Sequence, residues 1–167
     1  MAENLDNQKL RADNLAAIGI IHAGVNNNVL AISYYQNALK ELEDTEVNQQ
    51  VVSITNSIGE AYLDIDQFDS AEYYLTLAQS LLTPEMEFMN PQILFNLGES
   101  KTKQDQFEEA RSLLYESIEL GKQFNDLSTL INSYETIAKI ELYYGQIQDA
   151  LYHSALAMEL AQSICVN

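Results

Sequence analysis

Few side chains here could do chemistry. They are two histidines, His22 and His153, one cysteine, Cys165, and the aspartates Asp64, Asp66 and Asp69. A nucleophilic enzyme needs a cysteine or serine with a base close by to activate it. No Cys–His pair stands at a recognised spacing, and no glycine-rich stretch could cradle a phosphate. A calcium loop needs a central glycine and a closing glutamate, and the aspartate run has neither. It reads instead as a helix end, a turn and the acidic first turn of the next helix. The expectation is therefore no catalytic residue, no metal and no cofactor. Cys165 has no second cysteine to pair with and reads as an incidental thiol.

What remains is binding chemistry, and composition narrows it. The 167 residues include 25 Asp+Glu against 8 Lys+Arg, a net charge of -17. Such a chain is repelled by phosphates, so neither nucleic acid nor an anionic membrane is expected as a partner. The charge serves solubility, and it favours a basic or neutral partner. A hydrophobic fraction of 47% excludes disorder, and only 6 Gly and 2 Pro favour helices. The apolar stretch Leu15 to Val25 is broken by Gly19, His22 and Gly24 and is too short to span a bilayer. MAENLDNQKL has no apolar core, so no signal peptide is read there. Cytoplasm is the default location, with the periplasm open to a piece of a longer protein.

The elements that must position any binding residue are repeated. Four segments begin near Ala12, Val52, Pro91 and Ile131, and each carries a small residue, Gly19, Gly59, Gly98 and Ala138. Twelve positions after each stands an alanine: Ala31, Ala71, Ala110 and Ala150. Small residues let two helix backbones approach. The apolar residues between them step by three and four, which is one face of a helix. At one aligned position stand Asn26, Asp66, Asp105 and Gly145, residue types that tolerate a left-handed backbone and fit a tight turn. Two residues on, Phe68, Phe107 and Ile147 are expected to plug the corner. Pro91 after Asn90 marks a helix start. A repeat period over four copies is the signature of a solenoid.

The pattern resembles the tetratricopeptide repeat (TPR), with IGIIH at Ile18–His22, IGEAY at Ile58–Tyr62 and LGESK at Leu97–Lys101, followed by AISYY from Ala31 and AEYYL from Ala71. The usual tryptophan is absent, and the period near 40 matches a longer subclass found in bacterial signalling regulators and some eukaryotic scaffolds. The resemblance implies an all-α fold, a right-handed α-solenoid of four TPR-like helix pairs, about eight helices. Copies fall at 12–45, 52–84, 91–125 and 128–165 of one domain covering 1–167. That domain is expected to be a module of a longer protein, because the last helix lacks a polar cap.

In the family the first helices line a concave groove that holds a protein or peptide. Carried onto this sequence, the groove presents Asn56, Glu60, Asp64, Phe95, Asn96, Glu99, Lys103, Asn132, Glu135, Lys139 and Tyr143. Asn can satisfy both amides and carbonyls of an extended peptide, and Glu can pair with Lys or Arg. The first copy offers Asp13, Ala16, Ile20 and Ala23, a largely apolar wall. TPR proteins that grip acidic chaperone tails use Lys, Arg and Asn in the groove. Here Ala16, Ile20, Asn56, Glu60, Phe95 and Glu99 stand there, so that clamp is missing. The expected function is non-catalytic protein or peptide binding, with self-association through the C-terminal helix also considered. The alternative is a sensory input domain of a larger signalling protein, joined to a kinase, a cyclic-dinucleotide synthase or a transcription regulator.

Overall fold

The computed structural model describes the backbone of residues 2–43 and 45–165, and the side chains of 7–43 and 45–164. Cys165 thus lies outside the described side chains. Helix-period apolar residues give eight α-helices and no strand among the described residues. They are α1 (Ala2–Gly24), α2 (Asn28–Glu41), α3 (Gln49–Asp64), α4 (Phe68–Ser80), α5 (Asn90–Lys103), α6 (Phe107–Phe124), α7 (Leu127–Tyr143) and α8 (Ile147–Cys165). A 3₁₀ segment, Pro84–Met89, precedes α5, and a proline opens that helix. The chain forms two compact units, Met1–Thr83 and Pro84–Asn167, each holding two helix pairs. The all-α class and the four helix pairs match what the sequence implies.

The turns inside the pairs sit where expected. Asn26, Asp66 and Asp105 have φ of 58°, 56° and 58°, and Gly145 has 73°. This left-handed backbone costs little for Asn, Asp and Gly. Asn125, at 57°, ends α6 in the same way, and Asp126 then caps α7 by accepting from the Thr129 amide.

Three of the small residues are seats for a large side chain sixteen positions later. A Cβ on Gly19 would stand 2.5 Å from the Tyr35 ring, on Gly59 2.6 Å from Leu75, and on Gly98 2.8 Å from Leu114. Tyr35, Leu75 and Leu114 are buried, each contributing on the order of 2 kcal/mol through the area removed from water. In the fourth copy the seat is Ala138, and the residue sixteen on is the smaller Ser154.

The corner plugs differ. Phe107 is buried, with Tyr143 and Tyr144 at 4.5 and 5.8 Å between ring centres. Phe68 is half-buried. Ile147 is exposed.

Candidate functional site

In the first unit the faces of α1 and α3 leave a half-open pocket of about 370 Å³. Ile20 and Ala23 form its α1 wall, Ser57, Glu60 and Asp64 its α3 wall, and Tyr35 reaches in from α2. Gly19 makes that reach possible, since any side chain there would displace the Tyr35 ring. Glu60 and Asp64 are four apart on one helix face and are both exposed, and Ser57 adds a hydroxyl one turn earlier. Burial pushes the Tyr35 hydroxyl above its ordinary pKa. The negative charge of Glu60 pushes the same way, and a hydrogen bond from Ser57 opposes both.

Beside the pocket, Asn28 is 5% exposed and its amide nitrogen donates to Asp64 at 3.3 Å. Its Oδ1 has no partner among the described residues. A buried acceptor without a donor costs about 1–3 kcal/mol. The pocket therefore has two carboxylates, two hydroxyls and a bare carbonyl oxygen nearby, against one apolar wall.

The second unit is packed more tightly along its first helices. Asn96 is 1% exposed and accepts from Gln92 at 3.1 Å, and Phe95 is buried in the core with Phe107, Leu130 and Tyr134. Both had been placed on the groove face. They lie inside because α5 packs against both α6 and α7, which leaves it little free face. A buried chain of hydroxyls runs alongside. Ser117 donates to the Pro91 carbonyl at 2.8 Å and lies 3.1 Å from Ser133, while Thr129 donates to Gln92 at 2.8 Å. Glu99 and Asn132 are half-buried; Lys103, Glu135, Lys139 and Tyr143 are exposed, as Asn56 is in part in the first unit.

The histidines are clasps within helix pairs. His22 stacks on Tyr34 at 5.3 Å, and the aligned Tyr62 stacks on Tyr74 at 5.5 Å. At the same position in the fourth copy, Glu141 is buried and holds His153 Nδ1 at 2.9 Å. The His153 ring is enclosed by Tyr134, Tyr115 and Tyr152. A histidine–carboxylate pair also orients a catalytic base, but this one faces aromatic carbon. Asp64, Asp66 and Asp69 occupy a helix end, a turn and a first helical turn, and among the described residues no three His, Cys, Asp or Glu side chains converge on a metal position.

Sequence reasoning placed Glu60 and Asp64 on one face, and Ile20 and Ala23 on an apolar wall. It missed Ser57 and Tyr35. Ser57 was findable as the residue three before Glu60. Tyr35 stands in the AISYY element, and that its hydroxyl would reach α3 depends on Gly19.

A family model described as tetratricopeptide repeat matches residues 91–163. The structure of aspartyl phosphate phosphatase F from Bacillus subtilis is similar at 20% identity, with a TM-score of 0.85 over 94% of this chain and 42% of that one. A Rap protein complexed with competence and sporulation factor is similar at 19% identity, with a TM-score of 0.81 over 92% of this chain and 44% of that one. BtubC from P. vanneervenii is similar at 16% identity, with a TM-score of 0.78 over 94% of this chain and 65% of that one. The chain thus spans between about two fifths and two thirds of these proteins. At these identities the likeness establishes the fold. A comparison with curated proteins finds no match. No helix among the described residues is long and apolar enough to cross a membrane.

Proposed function

We propose that this chain, a tetratricopeptide-repeat protein by the match over residues 91–163 and the fold it shares with its structural neighbours, is a non-catalytic module that binds a protein or peptide along its first helices. The observation that carries this reading is the pocket of the first unit. There, residues of α1 and α3 assigned to a groove from the sequence, Ile20, Ala23, Glu60 and Asp64, wall one opening. The contact set is Asn56, Glu60 and Asp64 in the first unit, and Glu99, Lys103, Asn132, Glu135, Lys139 and Tyr143 in the second. Phe95 and Asn96 support it from inside. Precedent for a bound partner on this fold comes from the Rap protein complexed with competence and sporulation factor.

A second reading, an input domain of a larger regulatory protein, is favoured by the greater length of similar structures, of which this chain spans 42% and 44% in two cases.

The test is selection of peptides from a random display library, followed by mapping of the selected peptides on amide resonances. Shifts confined to α1 and α3, or to α5 and α7, are expected, with loss of binding in Glu60→Lys or Glu99→Lys and an unchanged helical spectrum. Shifts confined to α2, α4, α6 and α8 would overturn the groove.

A further inference from the structure

We infer that the first unit's pocket is an anchor for one arginine side chain of a bound peptide. This rests on the groove reading and sharpens it. Three observations select the occupant. Glu60 and Asp64 stand one helical turn apart at the opening, so two carboxylates are offered to one group. Across from them, Ile20 and Ala23 give an apolar wall that can cover an alkyl stem. Beyond the lining, the buried Asn28 donates to Asp64 at 3.3 Å and so helps to hold that carboxylate in place, while its own Oδ1 has no partner among the described residues.

A guanidinium answers both the held carboxylates and the apolar wall. It carries five N–H donors in a planar fork, remains charged, and is weakly hydrated enough to enter a half-buried site. An ammonium brings three donors to one point and cannot span two carboxylates as well. A carboxylate or phosphate would meet Glu60 and Asp64 head on. The volume, about 370 Å³, lies at the small end of ligand pockets, which suits a side chain better than a folded partner.

The corresponding face of the second unit could not act this way. The copies are 79 residues apart, Gly19 to Gly98 and Gly59 to Ala138. Gly24, Glu60, Ala61 and Asp64 are replaced there by Lys103, Lys139, Ile140 and Tyr143. Two lysines and two bulkier side chains stand where the first unit has its carboxylates and its space.

The experiment is a titration of the whole chain, followed by amide and tyrosine-ring resonances, with a capped Ala-Ala-Arg-Ala-Ala peptide. The same peptide with citrulline, uncharged but of equal shape, and methylguanidine alone are the comparisons. The arginine peptide is expected to shift Tyr35 and Ser57–Asp64 and to bind about tenfold tighter than the citrulline peptide, the scale of a lost charge-assisted hydrogen bond. Glu60→Gln and Asp64→Asn should each weaken it by about tenfold, and Glu119→Gln, exposed on α6, should leave it unchanged. Equal binding of the arginine and citrulline peptides, or shifts elsewhere, overturns the inference. Methylguanidine binding as tightly as the peptide would assign the pocket to a free cation instead. If library-selected peptides still map to α1 and α3 without needing arginine, the anchor falls and the groove stands. If the arginine peptide binds here while no selected peptide maps to first-helix faces, the groove falls and the pocket stands.

Discussion

Both units are built on the same seat, a glycine in the first helix under a leucine or tyrosine of the second, yet they close their helix pairs differently. In the first unit the clasp is aromatic: His22 on Tyr34 and Tyr62 on Tyr74. In the second, the same position holds Lys101, 3.8 Å from exposed Glu109, and Glu141, buried against His153. The interiors diverge in parallel. The first unit has Ala38 and Ala78 where the second has the buried Ser117, which ties α6 to the start of α5. The seat fixes the distance between the two helices of a pair. The neighbouring positions decide how far the space between successive first helices is filled, and in the first unit α1 and α3 leave a pocket there. The shape of the first-helix face in such a repeat is thus set by residues that contribute little to the repeat signature.

The sharpest way to break this comparison is to remove the clasps one at a time. His153→Ala should cost about 3 kcal/mol, because it strands the buried Glu141 carboxylate. His22→Ala should cost about 1 kcal/mol, the worth of a stacked pair. Urea unfolding, with amide exchange to localise the loss, measures both, and equal costs would erase the distinction between a hydrogen-bonded and a stacked clasp.

The shared seat predicts equality instead. Gly59→Ala and Gly98→Ala should each cost about 2 kcal/mol through overpacking against Leu75 and Leu114. Gly24→Ala, whose Cβ would meet nothing within 4 Å, should be neutral. Adding Leu75→Ala to Gly59→Ala should cost less than the two singles summed. Strict additivity would mean that Gly59 is conserved in the repeat pattern of this chain for some reason other than room.

These seats explain why the pairs were legible in the sequence and the site only in part. A glycine beneath a large side chain sixteen residues on recurs in three copies, and an Asn, Asp or Gly stands at the turn in all four, because close helix approach and a left-handed turn demand them. Glu60 and Asp64 could be placed because they follow the glycine at fixed helical steps. Burial of Asn96 could not, because it depends on how closely α5 is approached by α7 as well as α6, and that contact is made by residues some forty positions away. The bare Asn28 oxygen was invisible for a related reason: the sequence shows an asparagine at a helix start, where a cap would be its ordinary use, whereas here the side chain bonds Asp64 on another helix.

A smaller effect separates the interiors. Ser117→Ala removes the donor to the Pro91 carbonyl and the contact with Ser133, and should cost about 1 kcal/mol. Ala78→Ser, the reverse exchange at the aligned position of the first unit, should give no gain, since it adds a buried hydroxyl to a site built for a methyl group. Thermal unfolding of the two variants tests the pair. A stabilised Ala78→Ser would show that the hydroxyl chain is a general device and not one the second unit requires.

The smallest expected effect is also the most specific to the first unit. Burial, and then the charge of Glu60, hold the Tyr35 hydroxyl above its ordinary value of 10.0, against the opposing Ser57 hydrogen bond. The folded state therefore keeps this proton more tightly than the unfolded chain does. The resulting stability is complete below about pH 10 and is lost as pH rises through the folded-state value. Stability measured across alkaline pH should fall more steeply in the parent chain than in Tyr35→Phe. Glu60→Gln should remove the second cause only, so its slope should lie between those of the parent and Tyr35→Phe. An arginine peptide seated on Glu60 would offset that same charge, and so should lower the pH at which Tyr35 ionises, read from tyrosinate absorbance. A Tyr35 titration that does not respond to the peptide, while the peptide still binds, would put the guanidinium on Asp64 alone.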